Sequence, residues 1–101
     1  MHIDTHIVNG RAVLGLEGRF DFSANSEFRR CCDEALQAIQ VRELEIDLGQ
    51  VLYLDSSALG MLLMLRERAE GVRKHVMLSN CRGAVKQVLD IANFAKLFRI
   101  S

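Results

Sequence analysis

The chain has 101 residues, half of them hydrophobic and about a quarter charged, with 13 basic and 13 acidic side chains and no net charge. That is the make-up of one ordinary globular domain spanning residues 1–101, and it offers no global attraction to nucleic acid or to an acidic membrane. Three cysteines (Cys31, Cys32 and Cys81) lack any Cys-x-x-Cys spacing, which argues against a disulfide framework or a structural zinc site and for a reducing compartment.

Charge is uneven along the chain: residues 1–50 hold nine acids and five bases, residues 51–101 four acids and eight bases. We assign this to surface in which each half neutralises the other. The start, Met1-His2-Ile3-Asp4, has no basic and apolar signal segment, and the longest apolar run, Ala58–Leu65, is too short to span a bilayer. A cytoplasmic location is expected.

Residues 3–8 and 11–17 read as strands joined by Asn9-Gly10, the strongest two-residue hairpin signal. Residues 24–40 read as a helix with Phe28, Cys32, Ala35, Leu36 and Ile39 on one face. Residues 43–48 alternate strictly, with Glu43, Glu45 and Asp47 on one side and Leu44, Ile46 and Leu48 on the other. A helix comes next over 56–71, then a strand over 74–79. A third helix over 83–93 carries Val85, Val88, Leu89 and Ala92, and residues 97–100 read as a last short strand.

The alternation in 43–48 decides the architecture. A strand covered on both faces reads as continuously apolar, whereas this one turns three acids to water. Right-handed crossovers stepping in one direction then put every helix on the same face. The expectation is an α/β fold: a mixed sheet with an antiparallel N-terminal hairpin, mainly parallel strands after it, and three helices on one side. Without a reversal of strand order there is no central crevice for a dinucleotide.

Asp55-Ser56-Ser57-Ala58-Leu59-Gly60 lies where a strand gives way to a very apolar helix. Helix capping accounts for such a turn on its own, because Asp and Ser side chains accept hydrogen bonds from the free N–H groups of a first turn. The sharper reading is a phosphorylation switch, since a helix N-terminus tolerates an added dianion that a docked partner does not. At 100° per residue the buried centre of this helix falls on Ala58, Leu62, Leu65 and Ala69. Its opposite face carries Ser56, Gly60, Leu63, Met64 and Glu67, so Leu63 and Met64 are either scattered surface apolars or a contact patch approached over Gly60.

In a parallel arrangement the loops after residues 17, 48 and 79 share one edge. This brings Arg19, Phe20, Asp21, Phe22 and Ser23 towards Asp55-Ser56, with Asn80 close by. Asp21 and Ser23 serve there as turn and cap residues, as partner contacts, or as both.

Enzymatic chemistry is not evident. A serine nucleophile needs a base, and His2, His6 and His75 fall away from the Ser56 edge. Gly-x-Ser-x-Gly and the glycine-rich phosphate loops are absent. No catalytic set, metal site or cofactor is expected.

Three segments resemble those of the STAS domain of the anti-sigma factor antagonist family: Leu16-Glu17-Gly18-Arg19-Phe20-Asp21, the Asp55–Gly60 turn, and Val85-Lys86-Gln87-Val88-Leu89-Asp90 leading into Phe94-Ala95-Lys96-Leu97-Phe98. The resemblance implies partner switching. An unphosphorylated antagonist binds an anti-sigma factor, frequently itself a serine protein kinase; phosphorylation of the serine after the Asp blocks binding, and a serine phosphatase restores it. Carried onto this sequence, the acceptor is Ser56, and Asp21, Asp55 and Ser57 match positions at or beside the interface. Ala58 stands where the family often has Gly. The alternative from the same resemblance is a STAS module that binds a nucleotide or lipid, or that regulates another signalling enzyme.

Overall fold

The computed structural model describes residues 1–101. Five strands form one sheet in the order β1-β2-β3-β4-β5: His2–Val8, Arg11–Phe20, Glu43–Leu54, His75–Ser79 and Arg99–Ile100. β1 runs antiparallel to β2, and every later pairing is parallel. Helices α1 (Asn25–Gln37), α2 (Ser56–Gly71) and α3 (Gly83–Ile91) connect the parallel strands. The expected architecture is the observed one, with strand order following chain order and no reversal.

Asn9 and Gly10, both at positive φ (51° and 81°), close the hairpin, as a two-residue turn matched to strand twist requires. Ala12, Leu14 and Leu16 of β2 and Leu44, Ile46 and Leu48 of β3 point into a core of 26 buried residues, together with Ala58, Leu62, Leu65 and Ala69 of α2. Phe20 packs on Phe28 with ring centroids 4.9 Å apart, fixing α1 to the end of β2. Arg68 Nε donates to Asp33 Oδ1 at 2.9 Å and ties α2 to α1.

On the other face of the sheet, Glu43, Glu45 and Asp47 remain half-exposed. Arg11 pairs with both glutamates, Ser79 Oγ donates to Glu45 Oε2 at 2.7 Å, and Asn80 Nδ2 donates to Asp47 Oδ1 at 3.0 Å. The acids of the alternating strand therefore meet water and one another's partners, as the pattern requires.

Several boundaries differ from those the sequence pattern predicts, and β5 begins at Arg99, not residue 97, because the turn Phe94–Lys96 runs up to Leu97. α1 stops at Gln37, not residue 40, because Lys74 Nζ donates to the terminal carbonyls of Leu36 and Ala38 (2.5 and 3.0 Å) and Ala38 turns extended. Ile39, expected on the core face, is consequently 96% exposed. α3 ends at Ile91, where Ala92 and then the left-handed Asn93 (φ 59°) terminate it. β3 continues six residues past Leu48, and β2 three past Glu17.

That extension decides where the Ser56 turn sits. β4 pairs with β3 only as far as Asp47↔Ser79, while β2 accompanies β3 up to Phe20↔Leu54. Seven steps of β3 from Asp47 to Leu54 match five steps of β2, with irregularities at Gly15/Glu17 and Gly18/Arg19. These are bulges on β3, and they turn its inward period from two to three: Leu48, Val51, Leu54. Gly18, at φ +106°, supplies a backbone conformation at the irregularity that a side chain would strain.

Candidate functional site at the tip of the long ribbon

Two aspartates end two neighbouring strands, and each caps the helical turn after it. Asp55, extended at φ −116°, accepts from Ala58 N at 3.1 Å and so satisfies a free donor of the first turn of α2. Asp21 Oδ1 accepts from the backbone N (3.0 Å) and hydroxyl (2.5 Å) of Ser23 and caps the short 3-10 turn Phe22–Ala24. These Ser23 bonds, with Arg19 at 3.6 Å, hold the Asp21 carboxyl below its ordinary value. The pairing Phe20↔Leu54 sets the two caps side by side.

Ser56 is the first residue of α2 and is exposed; Ser57 is half-exposed. Both lie inside the turn whose N–H groups point outward, and no acidic residue occupies that turn. The positive end of the α2 dipole is therefore met only by the Asp55 cap. Asp21, Ser23, Asp55, Ser56 and Ser57 are brought together at this tip. Gly60, Leu63 and Met64 extend from it along the outer stripe of α2. Leu63 is 36% and Met64 52% exposed, and a Cβ placed on Gly60 would meet nothing within 4 Å.

Asn80 does not join them. It sits against Gly49, its Cβ 3.2 Å from a Cβ built there, and bonds to Asp47, seven residues of strand before Leu54. Those seven residues advance only as far as five of β2, which at about 3.3 Å each is roughly 15 Å from the tip. Parallel pairing alone predicts three loops ending level; the extra length of β3 separates them.

The structure also adds residues that the sequence pattern does not single out. Leu52, on the second bulge, is 81% exposed; Phe22 is 69% exposed, and Tyr53 is exposed with Arg19 lying 4.3 Å over its ring. These three give the tip exposed apolar side chains, while Leu63 and Met64 lie about two turns farther along α2. The available signal is the apolar run Val51–Leu54 after Gly49, where strict alternation stops.

No histidine serves Ser56. His2 comes nearest in register, opposite Glu17, and its Nε2 is 3.0 Å from Asp4 Oδ1; His6 and His75 pair with Val13 and Glu43 much farther down the sheet. A cleft of about 570 Å³ lies at the opposite end of the molecule among Glu43, Arg66, Lys74, His75 and Arg99. Burial pushes all three thiols up, Cys81 to about 11, so they stay protonated and poorly nucleophilic. No helix is long and apolar enough to cross a membrane.

The sequence model of the STAS domain matches residues 2–101. The chain belongs to the STAS domain family. A STAS-domain containing protein of Pseudomonas aeruginosa (strain UCBPP-PA14) is 46% identical over 89 residues, 88% of this chain and 86% of that one. Among solved structures, an anti-sigma factor antagonist from Mycobacterium paratuberculosis superposes with a TM-score of 0.85 at 18% identity, covering 98% of this chain and 83% of the other. The Bacillus cell fate determinant SpoIIAA in its phosphorylated form gives 0.75 at 18% identity, covering 99% and 91%. This STAS domain thus has the fold of structures described as anti-sigma factor antagonists.

Proposed function

We propose that this STAS domain is a non-enzymatic, cytoplasmic anti-sigma factor antagonist that works by partner switching. Its unphosphorylated tip binds an anti-sigma factor or serine protein kinase; phosphorylation of Ser56 blocks that binding, and a serine phosphatase reverses it. The observation that carries the reading is an exposed Ser56 on the first turn of α2, next to the Asp55 cap, with exposed Phe22, Leu52 and Tyr53 on the adjoining turn and strand and exposed Leu63 and Met64 about two turns farther along the helix. Asp21, Ser23, Asp55, Ser57 and Gly60 belong to the same contact surface.

The energetics support a switch without refolding. A phosphate adds about −1.5 to −2 charges at neutral pH. Within this chain the helix N-terminus stabilises it by about 0.3–1 kcal/mol. Across an interface built on apolar side chains, the same charge is buried without a partner at a cost of several kcal/mol. Since about 1.4 kcal/mol is tenfold in affinity, binding falls by orders of magnitude while the fold stays intact.

The test is affinity capture with Ser56→Ala and Ser56→Asp chains, identification of the bound protein by mass spectrometry, and titration of that protein against both variants. Ser56→Ala is expected to bind tightly and Ser56→Asp at least about tenfold more weakly. Equal affinities would overturn the switch.

A further inference from the structure

β1 is an edge strand with few of the usual protections, Asp4 being its one charged side chain. Natural edges carry prolines, lysines, bulges or a covering element. β1 has no proline or lysine, and its register with β2 is unbroken from His2↔Glu17 to Val8↔Arg11. Every residue but Ile3 is exposed. The opposite edge is different: β5 is two residues long and comes directly after the turn of Phe94–Lys96.

The hairpin fixes which backbone groups of β1 are free. A two-residue turn is closed by a hydrogen-bonded pair, here Val8↔Arg11, and bonded and non-bonded pairs then alternate. Gly10 O accepts from Arg42 N at 2.7 Å on the β3 side, which leaves the groups of Arg11 facing β1 as this parity demands. Val8, His6, Asp4 and His2 therefore bond to β2. The N–H and C=O groups of Ile3, Thr5 and Ile7 point outward with no strand beside them.

From this we infer that β1 pairs antiparallel with β1 of a second copy, Thr5 opposite Thr5, joining two sheets into one of ten strands. Self-pairing must match outward residues with outward residues, which leaves registers centred on Asp4, Thr5 or His6. A centre at Asp4 sets two aspartates opposite each other, and a centre at His6 sets two histidines opposite each other. The Thr5 centre gives the longest overlap. It faces Asp4 of each copy with His6 of the other, as a non-bonded pair whose side chains approach closely. It also sets Ile3 against Ile7 on the helix side of the sheet, and Thr5 against Thr5. The strand His2-Ile3-Asp4-Thr5-His6-Ile7-Val8 is thus complementary to itself in hydrogen-bonding side chains and in shape.

Sedimentation of the full chain over a concentration series, with amide hydrogen exchange, tests this. The unmodified chain should shift to twice its mass as concentration rises, and the Ile3, Thr5 and Ile7 amides should gain protection with it. Thr5→Pro removes an outward N–H and spares the β2 ladder; with circular dichroism unchanged, it should weaken the dimer at least about tenfold. His6→Asp should also weaken it, and the Asp4→His/His6→Asp double variant should restore it. A chain that stays monomeric throughout, with those amides unprotected, overturns the inference and leaves the edge to a foreign strand. A dimer indifferent to Thr5→Pro overturns it equally. Neither outcome touches the Ser56 reading, which the capture experiment tests on its own.

Discussion

Asp21 and Asp55 perform the same local task with different partners, and the difference is measurable. Asp55 accepts one backbone N–H, whereas Asp21 accepts a backbone N–H and a hydroxyl from Ser23 with Arg19 nearby. The Asp21 carboxyl is therefore easier to ionise in the folded chain than in the unfolded one. A lowered folded pKa gives stability that is present above the ordinary carboxylate value and lost as pH falls through the lowered one. The unmodified chain should lose urea resistance on acidification across that window, and Asp21→Asn should lose less. An identical acid dependence for the two would show that the Ser23 bonds carry no such linkage. Both aspartates are legible in the sequence, because a capping residue announces itself by its type and by its place just ahead of a helical run. The grouping of Ser23 with Asp21 is legible as well. The exposure of Ile39 is not, because Lys74, which ends α1, lies 36 residues farther along the chain than Ala38.

At the scale of elements, β3 shows where a sequence pattern gives out. Its first half alternates, and both its register and its facing can be read from that. Its second half buries every third residue, since the bulges at Gly49 and Leu52 each add a residue that β2 does not match. A period of three resembles neither strand nor helix closely enough to be recognised. Yet this half carries Ser56 beyond the end of β4 and exposes Leu52 and Tyr53. Deleting Leu52 would leave Val51 and Leu54 inward and Tyr53 outward, in plain alternation, while removing one bend. Leu52→Ser instead keeps the residue count and the bend. We expect Leu52→Ser to stay within about 0.5 kcal/mol of the parent stability in urea titrations, as an exposed substitution should. The deletion should fold cooperatively but bind the captured partner more weakly than Leu52→Ser does. Equal binding by the two would mean that the aim of the ribbon does not matter at this position.

Across the whole molecule, the overall architecture is readable from one strand because Glu43, Glu45 and Asp47 could not have been packed under helices. That same uncovered face has a calorimetric consequence. Val8, Val13 and Met77 set apolar side chains among the charged and polar groups there, and all three remain at least partly accessible. Unfolding therefore adds little new apolar surface from that side of the sheet. The heat-capacity increment of unfolding should fall near about 1.2 kcal/mol/K, the low end for a domain of this length. Scanning calorimetry at several pH values would give it directly, and a value above about 1.5 kcal/mol/K would contradict it. A small increment flattens the dependence of stability on temperature. A chain that wets half of its sheet should thus lose its margin against unfolding more gradually, on cooling and on warming, than a domain of this length at the high end of the range.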